Sequence, residues 1–132
     1  SGDDPIWAME EKATGNLVGT IGLSVDNKRS LGKDEVRNLG YALDDTAWGK
    51  GYATEAAKAV LGYAFDTMHL LMVSAAHYPF KAASGRVIEK CGLRYEGTLV
   101  MSAKLYNGEI YDHLCYSMTR LEYQKIYGQR ES

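Results

Sequence analysis

The sequence predicts an α/β protein with a mixed, mostly antiparallel sheet, one parallel pair of strands and flanking helices. Apolar residues alternate with period two through residues 39–43, and a helical spacing begins at Ala56. A short apolar run at 70–76 follows, and strand, helix and strand in this order imply a right-handed crossover and a parallel pair. Two turn signals, Thr14-Gly15-Asn16 and Asn107-Gly108, each predict an antiparallel hairpin.

Each element is bounded by a turn signal or by the end of a periodic pattern. The predicted strands are Ile6 to Lys12, Leu17 to Val25, Val36 to Asp44, Leu70 to Ala76, Leu93 to Leu105 and Ile110 to Met118. The predicted helices are Thr54 to Asp66, Lys81 to Cys91 and, with a weaker pattern, Arg120 to Tyr127. Gly92 directly follows the second helix, at the C′ position where glycine commonly ends a helix.

Length and composition predict one domain that spans residues 1–132. The formal net charge of −2 gives no basic field for a nucleic-acid backbone, and no apolar run is long enough to cross a bilayer. Neither nucleic acid nor a membrane is therefore expected as a partner. Two cysteines and three histidines form no zinc-site spacing, so we expect no metal and, with reduced thiols, a cytoplasmic location.

Residues 39–57 read as a strand, a glycine-bearing loop and the start of a helix, an arrangement that can hold a diphosphate. A Walker loop does not fit, because Gly49-Lys50 is followed by Gly51 rather than Ser or Thr. A dinucleotide fingerprint fails at its third glycine, where the chain has Thr54. What remains is the six-residue pattern Arg/Gln-x-x-Gly-x-Gly/Ala. This chain has it as Trp48-Gly-Lys-Gly51-Tyr-Ala53, with Trp48 in place of the Arg or Gln.

These segments together resemble the GNAT superfamily of N-acetyltransferases, in particular the branch that acetylates the amino termini of ribosomal proteins. The resemblance covers roughly residues 5 to 120. The segments that carry it are Leu17-Val-Gly-Thr-Ile-Gly22, Leu39-Gly-Tyr-Ala-Leu43, Trp48-Gly-Lys-Gly-Tyr-Ala-Thr-Glu-Ala56, Ala83-Ser-Gly-Arg-Val-Ile-Glu-Lys-Cys-Gly-Leu93 and Arg94-Tyr-Glu-Gly97. It implies the acyl-coenzyme A N-acyltransferase fold, with acetyl-coenzyme A as cosubstrate and no metal. Family members carry a strand and two helices before the equivalent of Ile6, so the resemblance also implies an N-terminally incomplete domain.

In the resembled family, the strand before the glycine loop splays from its parallel neighbour and pairs with the pantetheine arm. The equivalent edge here is Tyr41, Ala42 and Leu43, and we expect the Leu43 N–H group to face the developing oxyanion. The diphosphate is expected on backbone N–H groups of the loop, with the Thr54 hydroxyl and Lys50 as additional contacts. The predicted cofactor-binding residues in and around this loop are Trp48, Gly49, Lys50, Gly51, Tyr52, Ala53 and Thr54.

The resemblance also implies a proton donor for the departing sulfur. Many members use a Tyr at the place of Ile88, whereas the ribosomal-protein branch uses a Ser one turn earlier, where this chain has Ser84. Ser84 is therefore the predicted general acid and a cofactor contact, and a small residue that admits the cofactor is the competing interpretation. Lys81 stands where the branch has a cofactor-contacting Asn and is likewise a predicted cofactor-binding residue.

The general base stays open at this point. The branch has a Glu near the places of Ala103 and Lys104, and neither residue is a carboxylate. The titratable alternatives are Glu109, Asp112, His113 and His77. The predicted function is acetyl transfer to a primary amine, such as a ribosomal-protein terminus or a small molecule. A coenzyme A-binding module with little catalysis is the alternative, and a ligand-free interaction domain of the same fold is a third. A homodimer is one option for the oligomeric state.

Overall fold

A computed structural model describes residues 4–128 of the chain. Its strands are β1 (Ile6–Glu10), β2 (Leu17–Val25), β3 (Val36–Leu43), β4 (Met72–His77), β5 (Arg94–Lys104) and β6 (Ile110–Thr119). Its helices are α1 (Tyr52–Gly62), α2 (Ala82–Lys90) and α3 (Arg120–Tyr127). A 3-10 turn at Asp45–Ala47 precedes α1, and a π-helical segment at Tyr63–Thr67 follows it. The termini of the predicted 1–132 domain, residues 1–3 and 129–132, lie outside the described residues.

The described strands form one six-stranded sheet in the order β1-β2-β3-β4-β6-β5. β3 and β4 pair in parallel, and the other neighbours pair antiparallel. The two predicted hairpins are confirmed, as are the bounds of β2 and α3. The mixed, mostly antiparallel fold class is therefore confirmed.

Several predicted boundaries were wrong by one to two residues at their ends. The first strand ends at Glu10 rather than Lys12, because the Glu11 N–H group turns back to the Asn16 carbonyl at 2.9 Å. The predicted strand at 70–76 begins at Met72 and ends at His77, after a left-handed residue at His69 (φ 58°). The long predicted strand before the Asn107-Gly108 turn contains two register shifts, and Met101 within the second has φ 51°.

The first helix also starts earlier than predicted. It begins at Tyr52, and Gly51 is its N-cap with φ 82°, so Thr54, the predicted first residue, lies inside the first turn. The apolar spacing that predicted the start becomes visible only at Ala56, whereas the left-handed backbone of Gly51 sets the actual boundary. At its other end the helix widens, with the Met68 N–H group bonded to the Tyr63 carbonyl at 3.0 Å.

The helices cover one face of the sheet and enclose the core between them. Buried apolar side chains from the sheet meet those of α1 and α2, among them Leu23, Leu39, Val73, Ala57, Leu61 and Ile88. Gly85 lets α2 approach β4 closely, because a Cβ there would lie 2.7 Å from His77 Nε2. The close approach brings the Ser84 end of α2 over the sheet.

A buried carboxylate stabilises the other face of the sheet. Asp26 is 4% exposed and accepts hydrogen bonds from Ser74 Oγ and Arg29 at 2.7 Å each and from the Lys28 N–H group at 2.8 Å. Burial raises the pKa of this carboxyl, but the three hydrogen bonds and the Arg29 charge together hold it below its ordinary value. The network fixes the loop after β2 against β4.

Candidate functional site

The parallel strands β3 and β4 separate after three paired positions. Val36, Arg37 and Asn38 pair with Met72, Val73 and Ser74, and no later pair joins the two strands within residues 4–128. The remainder of β3 stays paired with β2, and the remainder of β4 stays paired with β6. The expected splayed pair is therefore present, with a gap that widens toward the carboxyl ends of both strands.

Backbone groups line this gap from both sides. The Asp44 N–H group donates to the Val18 carbonyl at 2.8 Å, and antiparallel strands direct alternate residues toward their partner. Tyr41 and Leu43 therefore direct their N–H and C=O groups away from β2 and into the gap. On β4, the Leu71 carbonyl accepts from the Arg120 N–H group and therefore faces β6. Odd-numbered residues of β4 face β6 in the same way, so the backbone groups of Ala76 face the gap from the opposite side.

The glycine loop lies next to the gap. Gly49 and Gly51 have φ angles of 83° and 82°, and α1 begins directly after them. The first N–H groups of an 11-residue helix lack intrahelical partners and carry the positive end of its dipole. These N–H groups border a cavity of about 110 Å³, which both α1 and α2 help to form. Its lining residues are Leu43, Ala47, Trp48, Gly49, Gly51, Tyr52, Ala53, Thr54, Ala83, Arg86, Val87 and Lys90. Leu43 belongs to both the gap and this cavity.

Two cations of the cavity were missed by the sequence reasoning. Arg86 and Lys90 are exposed, and they lie one turn apart on α2. Their i and i+4 spacing was a visible signal, but only the fold brings α2 beside the start of α1. Helix N–H groups on one side and two cations on the other form a cavity whose chemistry suits a phosphate group.

Tyr41 and Ser84 join β3 to α2 across the helix side of the gap. The Tyr41 hydroxyl donates to the Ser84 carbonyl at 3.0 Å, and Ser84 Oγ donates to the Tyr41 hydroxyl at 3.0 Å. Burial raises the pKa of Tyr41 to about 12, so the phenol is protonated at neutral pH. The predicted acid Ser84 thus lies beside the gap, but its partner is the Tyr41 side chain, for which only a backbone role was predicted.

The remaining predicted contacts, Trp48, Lys50 and Lys81, lie in three different places. Trp48 is half-buried against Tyr41, with ring centroids 6.3 Å apart, and therefore packs as well as lining the cavity. Lys50 lies instead on the far side of the loop, in a neighbouring cavity with Glu11. Lys81 is exposed and is the N-cap residue of α2. The cofactor contacts of these residues stay predictions.

The four titratable alternatives for the base have different surroundings. His77 is buried, with Nδ1 2.7 Å from the Tyr78 carbonyl and Nε2 3.1 Å from the Tyr116 hydroxyl, so both ring nitrogens have partners. Glu109 accepts hydrogen bonds from Tyr111 at 2.8 Å and from Asn107 at 3.0 Å, within the last hairpin. Asp112 accepts the Met101 N–H group at 2.8 Å.

The fourth alternative, His113, is bonded at one nitrogen. Its Nδ1 atom lies 2.7 Å from Ser102 Oγ, and its ring stacks on Tyr78.

In the described part of the chain, no helix has the length and apolar character to cross a membrane, and no group of three or more His, Cys, Asp and Glu side chains could hold a metal ion.

Comparisons with known proteins identify the family. The model of the Acetyltransferase (GNAT) domain matches residues 1–94. The uncharacterized N-acetyltransferase YoaA of Bacillus subtilis is 30% identical over 118 residues, which are 86% of this chain and 62% of that protein. The chain spans between 51% and 62% of the length of three curated relatives.

Solved structures share the fold. A GNAT-family acetyltransferase from Bacillus anthracis has a TM-score of 0.76 and 28% identity, over 89% of this chain and 67% of that one. A ribosomal-protein-S5-alanine acetyltransferase from Vibrio fischeri has a TM-score of 0.78 and 23% identity, over 89% of this chain and 62% of that one. The splayed strands, the glycine loop and the matched domain together lead to one conclusion: this chain belongs to the GNAT acetyltransferase family.

Proposed function

We propose that this protein transfers the acetyl group of acetyl-coenzyme A directly to a primary amine. The single observation that carries the proposal is that two features adjoin at Leu43. One is the free backbone edge of β3, and the other is the cavity bordered by helix N–H groups and two cations. An extended thioester carrier with a diphosphate at one end needs both features, side by side. The family supports the same chemistry.

The residues have separate roles in this proposal. The N–H groups around Gly51 hold the diphosphate, and Arg86 and Lys90 contribute the opposing charge. The backbone of Tyr41 and Leu43 pairs with the pantetheine arm, and the Leu43 N–H group stabilises the oxyanion. Loss of one such donor costs roughly 3–4 kcal/mol of transition-state stabilisation. The reaction as proposed uses no metal.

Ser84 delivers a proton toward the departing sulfur, with its hydroxyl held by Tyr41. Tyr41 donates its own hydrogen to the Ser84 carbonyl and accepts from Ser84 Oγ, so the Ser84 hydroxyl turns away from Tyr41 when it gives its proton to the sulfur. Because Tyr41 is held protonated, it acts as a donor rather than as a base at neutral pH.

For the acceptor, we propose a protein amino terminus such as that of a ribosomal protein, by likeness to the Vibrio fischeri enzyme. The alternative is a coenzyme A-binding module with little catalysis, and the specific observation that favours it is the buried Ile88 where many relatives have a proton-donating Tyr. We propose the cytoplasm as its location, since both cysteines are free thiols.

The test is release of free thiol from acetyl-coenzyme A in the presence of N-terminal peptides and small amines. The protein's own thiols interfere little, because burial raises the pKa of Cys91 to about 11 and raises that of Cys115. Turnover with an amine supports acetyl transfer. Tight coenzyme A binding without turnover for any acceptor supports the binding module instead, and no binding at all contradicts both.

A further inference from the structure

His113 lies on the sheet face that the helices leave uncovered, on β6, with the end of β4 between it and the gap. Tyr116 and Met118 of β6 are buried under the helices, and side chains alternate between faces along a strand, so His113 points to the opposite face. Its ring stacks on that of Tyr78, the residue that follows β4, with centroids 5.3 Å apart and planes at 25°.

The register of the sheet gives the level of this ring pair. Asn38 pairs with Ser74, so residues four positions further along the two parallel strands, Ala42 and Tyr78, lie at one level of the gap. His77 pairs with Leu114, which brings His113 beside residue 78 on the next strand. The imidazole is therefore level with the end of β3, where the Leu43 N–H group faces the gap.

Hydrogen bonds fix the tautomer of the ring. Ser102 Oγ has one hydrogen, and its contact with the Leu99 carbonyl at 2.9 Å uses that hydrogen. The hydroxyl oxygen then accepts from His113 Nδ1–H at 2.7 Å. Both contacts are satisfied together only when Nδ1 carries the proton, which leaves the lone pair on Nε2.

The surroundings keep the ring neutral. Burial, and secondarily the charge of Lys28, hold the pKa of His113 below its ordinary value. The groups that face or flank the ring are Lys28 from the loop after β2, Tyr78 from the loop after β4, Ser102 from β5 and, on β6 itself, Asp112 and Cys115. The Asp112 carboxylate already accepts the Met101 N–H group.

Resting on the proposed function, we propose that His113 is the general base that deprotonates the acceptor amine, directly or through one water. Nε2 takes a proton from the ammonium form, and the amine lone pair attacks the thioester carbonyl carbon. The N–C bond forms, and the C–S bond breaks with its electron pair on sulfur. Ser84 gives its hydroxyl proton to that sulfur, the second amine proton restores the one on Ser84 Oγ, and His113 later releases its own proton to solvent. The products are the acetamide and free coenzyme A.

The substitution His113→Asn tests this role. The Asn amide nitrogen can occupy the place of Nδ1 and keep the bond to Ser102, whereas nothing replaces Nε2. The matched control is His69→Asn, because His69 is exposed, lies before the other end of β4 and has a left-handed φ of 58° that Asn tolerates. Both proteins are assayed for thiol release with the best amine, and for coenzyme A affinity by calorimetry.

We expect kcat/KM of His113→Asn to fall about 100-fold or more, with coenzyme A affinity within about twofold of the wild type. The wild-type rate should level off above the depressed pKa of the imidazole. The variant rate should instead rise tenfold per pH unit toward the pKa of the amine. His69→Asn should retain wild-type kinetics.

A fall smaller than tenfold, or an unchanged pH profile, would overturn the role of His113 while leaving acetyl transfer intact. A wild-type protein without turnover would overturn the proposed function and this base together. If His113→Asn does not fold, nitrogen NMR of the wild-type imidazole decides: an unprotonated Nε2 at neutral pH supports the role, and a protonated Nε2 contradicts it.

Discussion

Replacing Gly85 by Ala tests the close approach of α2 to β4, on which the position of Ser84 depends. The added Cβ would lie 2.7 Å from His77 Nε2, a distance that real Cβ atoms essentially never show, and 3.1 Å from Cε1, which is also tight. The imidazole or the helix must therefore move. His77 is held on both sides, by the Tyr78 carbonyl and by the Tyr116 hydroxyl, so it cannot move without losing a bond.

The magnitude follows from three opposing contributions. Ala in place of Gly inside a helix favours folding by about 1 kcal/mol. Overpacking costs about 1–3 kcal/mol, and loss of the bond between His77 and Tyr116 costs about 1 kcal/mol. The expected net effect of Gly85→Ala is a loss of about 1–3 kcal/mol, which thermal unfolding should report as a lower Tm, by roughly 4 °C per kcal/mol.

Gly62→Ala is the matched control. Gly62 ends α1 with ordinary helical angles, and its added Cβ would meet only the Tyr123 hydroxyl, at 3.7 Å. This substitution should raise stability by up to about 1 kcal/mol. A Gly85→Ala protein as stable as the wild type would refute the reasoning, because it would mean that α2 does not press on His77.

Two further predictions concern charge. The double substitution of Arg86 and Lys90 by Gln should weaken coenzyme A binding about tenfold, roughly 1.4 kcal/mol, and the difference should be smaller at high salt. Lys104→Gln is the control. Equal coenzyme A affinity of the double variant and the wild type would contradict the assignment of this cavity to the diphosphate. Asp26→Asn should destabilise the protein by about 1–3 kcal/mol at neutral pH, since it disturbs the buried bond from Ser74. Because the pKa of Asp26 is lower in the folded state, its contribution is present above the ordinary aspartate pKa and is lost as the pH falls toward the depressed value. Urea unfolding across the acidic range should show the two proteins converging; a constant difference would contradict this account.

Local signals predicted the hairpins and the order of elements well. Asn107-Gly108 and Thr14-Gly15-Asn16 predict turns because their backbone preferences act within a few residues. The start of α1 was harder to predict, because apolar spacing reports the buried face of a helix, which begins after its first turn. The π-helical end at Tyr63–Thr67 keeps the same apolar residues on the core side, so periodicity could not distinguish it.

The local geometry of the candidate site was predictable where it depends on one segment. The loop from Trp48 to Thr54 and the edge of β3 are adjacent in sequence; the free edge of β3 and the glycine loop before α1 are as expected, whereas the helix starts earlier and Lys50 lies on the far side of the loop. The positions of Arg86 and His113 depend on how α2 and β6 pack, which no local pattern encodes. The Tyr41 hydroxyl is a similar case, since its partner Ser84 is 43 residues away in sequence.

The central claim is that the free N–H groups at the start of α1 bind the diphosphate of coenzyme A. A crystal structure of the complex with acetyl-coenzyme A tests it most directly. The diphosphate oxygens should lie about 3 Å from the backbone nitrogens that follow Gly51, with Arg86 alongside. A complex with the nucleotide bound elsewhere and no phosphate near Gly51 would contradict the claim.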